Sequence, residues 1–154
     1  MLFKNKYKIE SARLKGYDYS SPGAYLITID TVKNYNVFGV IEKGGMVLNE
    51  NGKIASGKWK KIPVHFPYVI TDEYAVMPEQ ILGIILLDEF KSLQKREPLG
   101  TIIDHFKREC KTEISKSEMN FKWHPGYNIQ IIRNENELNS IRERLIDYAD
   151  SEKL

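Results

Sequence analysis

The sequence predicts an α+β domain: a ferredoxin-like antiparallel sheet with helices packed on it and an additional N-terminal hairpin. Three observations carry this prediction. Strand-like and helix-like segments follow in the order strand, hairpin, helix, strand, strand, helix, strand, helix. The two middle strands are joined by a tight turn after Met77-Pro78, which makes them antiparallel neighbours. The later helices carry apolar residues at helical spacing with charges off the stripe, so each has one face to bury.

Residues 1–23 read as a polar, basic lead-in ending in the turn-rich "YDYSSPG". "AYLITID" (24–30) is β-rich and predicts the first strand. "VFGVIEKGGMVLN" predicts two short strands around a Gly44-Gly45 turn. Residues 50–62 predict a helix weakened by Gly52 and Gly57. Strands follow near 67–77 and 80–88, the second apolar on both faces and therefore central. Pro98 opens an amphipathic helix whose stripe is Leu99, Ile102, Ile103, Phe106, Cys110 and Ile114. "YNIQIIR" (127–133) is a short strand, and Asn134 with Glu137 predicts a capping box. The last helix presents Leu138, Ile141, Leu145 and Tyr148 as its expected buried stripe.

The chain of 154 residues suits one domain with one sizeable core. A net charge of +2 does not by itself announce a nucleic-acid binder. The single cysteine, Cys110, excludes an internal disulfide framework and fits a reducing compartment. "MLFKNKYKIESARLKG" has no apolar core of a signal peptide, and no apolar run approaches membrane-spanning length. A cytoplasmic location with no membrane partner is the expectation.

"ARLKGYDYSSPGAYLITI", "GMVLNENGKIA", "YAVMP", "GIILL", "LGTIIDHFK" and "IIRNENELNSIRE" resemble, in that order, the single-tyrosine HUH transposases. Within that group they resemble REP-associated tyrosine transposases and their insertion-sequence relatives. The resemblance spans about residues 3 to 149. It implies a protein that cuts single-stranded DNA near a hairpin. Two histidines at i and i+2 of one strand would hold a divalent metal such as Mg²⁺ on one sheet face. That metal polarises the scissile phosphate, and a tyrosine of the last helix attacks it.

Placed on this chain, the family's "MPNHVHGII" falls on Met77 to Ile85, so the histidine positions are Gln80 and Leu82. The nucleophile position is Arg144, and the supporting polar position one turn on is Tyr148. All four depart from the pattern. No catalytic residue, metal ligand or cofactor is therefore expected, and Glu79-Gln80 is what remains at the mouth of the lost site. An arginine facing that site is expected to pair with Glu79.

His65, His105 and His124 are far apart in sequence and read as structural or surface residues. Trp59, Trp123 and Tyr127 read as packing residues. Lys53, Lys58, Lys60 and Lys61 on the first helix, with Lys107, Arg108, Lys111 and Lys116 on or after the second, are candidate phosphate contacts. Lys4, Lys6, Lys8, Arg13 and Lys15 add an N-terminal set. Three functions stay open. One is a degenerate transposase relative that binds single-stranded or hairpin DNA. Another is a nuclease with relocated groups, using Tyr148 with Glu79 or Gln80. The third is an interaction module that dimerises through its sheet.

Overall fold

Cross-strand register and two-residue alternation organise the molecule around one sheet. The computed structural model describes residues 23–32, 36–87 and 97–149. In chain order the elements are β1 (Gly23–Asp30), β2 (Gly39–Glu42), β3 (Gly45–Leu48), α1 (Glu50–Lys60), α2 (Ile62–His65), β4 (Val69–Val76), β5 (Gln80–Leu87), α3 (Leu99–Ile114), β6 (Asn128–Ile132) and α4 (Glu135–Ala149). The four-stranded antiparallel sheet has the order β4-β5-β1-β6, the ferredoxin-like arrangement, and β2 pairs with β3 as the additional hairpin. The predicted fold class is the one observed.

β1 is central because it pairs over its whole length with β5, from Gly23↔Leu87 to Asp30↔Gln80. On its other side it pairs with β6, from Ala24↔Ile132 to Thr28↔Asn128. Side chains alternate between the two faces along each strand. Tyr25, Ile27, Ile29, Ile81, Ile85 and Ile131 point toward α1 and α3 and join their apolar faces. Ala24, Leu26, Ile84, Leu86 and Ile132 point the other way and meet Leu138, Ile141 and Leu145 of α4. The sheet is buried on both sides, which is why β5 reads as a continuous apolar run.

Backbone chemistry sets the element ends. Asn49 caps α1, its Oδ1 accepting from the Gly52 N–H at 2.9 Å. Asn134 accepts from the Glu137 N–H at 2.9 Å, as a capping box requires. The Glu137 carboxylate reaches one residue further back than expected, to the Arg133 N–H at 2.8 Å. The β2–β3 turn is centred on Lys43 (φ 53°) and Gly44 (φ 81°), not on Gly44-Gly45. Two positive φ values in succession are what a two-residue hairpin loop demands. Pro98 is the residue before α3 and not its first turn.

Tyr148 departs from the expected stripe. Leu138, Ile141 and Leu145 are buried, but Tyr148 is 37% exposed, so the buried seam of α4 ends one turn before it. Arg142 pins the helix to the edge strand β4. Its Nε and a terminal nitrogen both donate to the Asp72 carboxylate at 2.7 Å.

Candidate nucleic-acid interface

The register of β1 and β5 places two rungs of side chains beyond the apolar core on the α4 side of the sheet. Leu26 and Ile84 form the last core rung; Thr28 and Leu82 form the next, and Asp30 and Gln80 the one after. A groove of about 400 Å³ lies over the Thr28–Leu82 rung, lined also by Asn128, Gln130, Ser140 and Arg144. A depression of about 590 Å³ lies at the Asp30–Gln80 rung, with Val32, Met77, Pro78, Glu79 and His124 around it. The two depressions share no lining residue, and the second lies beside the β4–β5 turn.

Within it, Gln80 Nε2 donates to Asp30 Oδ1 at 2.7 Å. Glu79 lies in the β4–β5 turn, where its carbonyl accepts from both the N–H and the Oγ1 of Thr31 at 2.9 Å. That turn position explains why a charged residue can precede an apolar strand. Arg144 is exposed and makes no ion pair or hydrogen bond among the described residues, so the expected pairing with Glu79 does not form. The reason is exposure: a guanidinium in water has no desolvation cost to offset.

The residues at the two histidine positions do not fit a divalent metal. Leu82 has no donor atom, and Gln80, whose Nε2 donates to Asp30, offers one amide carbonyl oxygen, a weak ligand by itself. Among the described residues, no group of three or more His, Cys, Asp or Glu side chains is arranged to hold a metal ion. The sequence reading named Gln80, Leu82 and Arg144 but missed Asp30, Thr28, Asn128, Gln130 and Ser140. The signal for Thr28 and Asp30 was available: polar residues at alternate positions ending an otherwise apolar strand.

The proposed lysines divide. Lys53, Lys60, Lys61 and Arg108 are exposed and carry no side-chain bond among the described residues. Lys58 instead pairs with Glu109 at 3.4 Å, joining α1 to α3. Lys107 Nζ donates to the His124 and Gly126 carbonyls at 3.1 Å, and Lys111 Nζ to that of Phe121 at 2.8 Å. Burial lowers the Lys107 pKa, partly offset by Asp104. These two lysines fasten the loop before β6, so removing them disturbs structure as well as charge. Lys116 pairs with Glu113. Lys4, Lys6, Lys8, Arg13 and Lys15 lie outside the described residues.

Trp59 is fully buried, its ring edge-on to Phe106 at 5.2 Å. Trp123 packs against Phe38, Phe106 and Phe121, and its Nε1 donates to the Lys107 carbonyl at 3.0 Å. Both act as packing residues. His65 and His105, distant in sequence, have ring centroids 4.5 Å apart. Burial and then the His65 charge lower the His105 pKa. Cys110 is buried in the α3 stripe, and burial pushes its thiol pKa far up.

No protein-family model matches the chain. An uncharacterized protein of Haemophilus influenzae is 34% identical over 142 residues, covering 81% of this chain and 79% of that one. A REP-associated tyrosine transposase bound to a REP hairpin shares the fold, with TM-score 0.54 and 15% identity, over 87% of this chain and 70% of that one. A Deinococcus radiodurans protein described as a transposase has TM-score 0.55 and 11% identity, over 89% of this chain and 99% of that one. No helix among the described residues is long and apolar enough to cross a membrane.

Proposed function

We propose, for a chain that belongs to the family of the uncharacterized Haemophilus influenzae protein, that it binds hairpin or single-stranded DNA without cutting it. The fold is shared with a transposase bound to a DNA hairpin, which supports nucleic acid as the partner class. The observation that carries the rest is Arg144: an exposed guanidinium with no ion pair among the described residues, in a groove lined by Thr28, Asn128, Gln130 and Ser140 with Glu137 and the hydrocarbon of Leu26, Leu82 and Ile141. Such a group holds a phosphodiester by charge-assisted hydrogen bonds and cannot attack it. Lys53, Lys60, Lys61 and Arg108 supply further positive charge. Lys58, Lys107 and Lys111 contribute to the field while holding protein partners.

An electrophoretic shift with a hairpin oligonucleotide tests this reading, alongside covalent trapping on an activated phosphodiester. The expected result is a shifted band that weakens with salt and no covalent adduct with Mg²⁺ or Mn²⁺. An adduct lost in Tyr148→Phe would establish relocated catalysis instead. The interaction-module reading has its own support in the β2–β3 hairpin, where Val40, Ile41 and Val47 are exposed. Absence of a shift at low salt, with a dimer in sedimentation, would transfer the conclusion to it.

A further inference from the structure

Two histidines distant in the chain meet where the end of α2 lies against α3. His65 is the last residue of α2 and His105 lies within α3, with ring centroids 4.5 Å apart and planes tilted by 50°. Both backbones are fixed by their helices. The Phe66 N–H closes α2 by donating to the Ile62 carbonyl at 3.0 Å. His105 is followed by the buried Phe106, and its own ring meets that of Phe66 edge-on at 5.4 Å. No hydrogen bond to a described residue engages either imidazole. The third histidine differs, since His124 Nδ1 lies 3.0 Å from the Pro125 carbonyl.

Adjacent imidazoles with free ring nitrogens are donors that late first-row divalent ions select over oxygen ligands. A ring nitrogen binds Zn²⁺ at about 2.0–2.1 Å, which places the ring centre about 3.2 Å from the ion. Two imidazoles on one ion, at right or tetrahedral angles, then have centres about 4.5–5.2 Å apart. The His65–His105 spacing meets the lower end of that interval. The bond from Cβ to the ring turns in a broad well, so each ring can aim a nitrogen at a shared point. We propose that His65 and His105 together bind one divalent transition ion of the Zn²⁺, Ni²⁺ or Cu²⁺ kind. Glu109, one turn along α3 from His105, is engaged by Lys58 at 3.4 Å. No third His, Cys, Asp or Glu joins the pair among the described residues, so water completes the coordination.

This site is separate from the sheet positions discussed above and does not depend on the DNA-binding reading. Its donors are nitrogens, so it rejects Mg²⁺, which takes oxygen ligands. Its consequence is mechanical. An ion held by both rings ties α2, and through Phe66 the start of β4, to α3; the Phe66 carbonyl accepts from the Val69 N–H at 2.9 Å. An ion that binds only the folded chain favours it by mass action. Free Zn²⁺ at about one hundred times its Kd should raise the folded-to-unfolded ratio by up to about a hundredfold.

Calorimetric titration with Zn²⁺ at neutral pH tests the site on the wild-type chain, His65→Ala, His105→Gln and His124→Ala. His65→Ala and His105→Gln should each weaken Zn²⁺ binding at least about tenfold, the loss expected when one of two ligands goes. His124→Ala should bind as the wild type does, and Mg²⁺ should give no heat of binding. His65 is exposed, so its replacement leaves the fold intact. His105 is half-buried, and NMR of the imidazole nitrogens in the wild-type chain decides the matter if His105→Gln does not fold. One ring nitrogen of His65 and one of His105 should shift together at one equivalent of Zn²⁺, with His124 unmoved. Urea unfolding with Zn²⁺ should move to higher midpoint in the wild type and not in His65→Ala. Wild-type affinity in His65→Ala, a shift at one of the two rings alone, or no shift at either would overturn the shared site.

Discussion

Gly57 and Gly83 both occupy regular elements, yet a methyl group at each has opposite consequences. An added Cβ at Gly57 meets nothing within 4 Å, so alanine there only removes backbone freedom from the unfolded chain and favours α1. Gly57→Ala should stabilise by about 1 kcal/mol in urea denaturation. At Gly83 the same Cβ would lie 2.3 Å from Cζ2 of the buried Trp59, whose ring has no room to retreat from Phe106. Gly83→Ala should cost about 1–3 kcal/mol. The sequence marked both glycines as helix or strand positions and could not distinguish them, because the discriminating atom belongs to a residue distant in sequence. The same limit hid the Gln80–Asp30 bond, whose partners are 50 positions apart. Leu82 as hydrocarbon was legible from the residue alone, whereas Glu79, expected at the mouth of a lost site, lies in the turn because its carbonyl is held by Thr31, 48 positions away.

Helix α4 shows which parts of an element its own periodicity reveals. Leu138, Ile141 and Leu145 were readable as a buried seam, and the structure buries all three. Tyr148 continues the spacing but is exposed, because periodicity records a helix face and not how far the sheet extends beneath it. The helix's attachment to β4 is not visible in either segment alone. It depends on the Asp72–Arg142 fork, with side chains 15% and 31% exposed. Burial acts to raise the Asp72 pKa. The Arg142 hydrogen bonds, the Glu73 backbone N–H and the Arg142 charge outweigh it and hold the carboxyl below its ordinary 3.8. A depressed folded-state value gives stability that is present above 3.8 and lost as pH falls through the folded value. Asp72→Asn should therefore cost about 1 kcal/mol near neutral pH, discounted for partial exposure. Urea titrations at stepped pH should show the gap between variant and wild type closing in acid below that range. A gap independent of pH would mean that the fork does not control how α4 is held.

At the scale of the whole molecule, the sheet separates two kinds of positive charge. Lys53, Lys60, Lys61 and Arg108 belong to α1, its end and α3, which cover one face, while Arg144 belongs to α4 on the other. The fold class, the two covered faces and the basic segments were all legible in the chain. Their relative placement was not, because which strand face each helix covers depends on register. A hairpin stem cannot lie against both faces at once, so the two groups have different roles in the DNA-binding reading. Exposed charges outside a contact act mainly through the long-range field, raising encounter rates and fading with salt. A guanidinium bonded to a phosphate acts on dissociation. Replacing Lys53, Lys60, Lys61 and Arg108 together by alanine should leave the fold intact, since none of their side chains bonds a described residue. Stopped-flow measurements with a hairpin oligonucleotide should show association slowed several-fold and dissociation unchanged. Arg144→Gln should do the reverse. Faster dissociation in the fourfold variant, with Arg144→Gln silent in both rates, would place the DNA on the α1–α3 face and remove Arg144 from the contact.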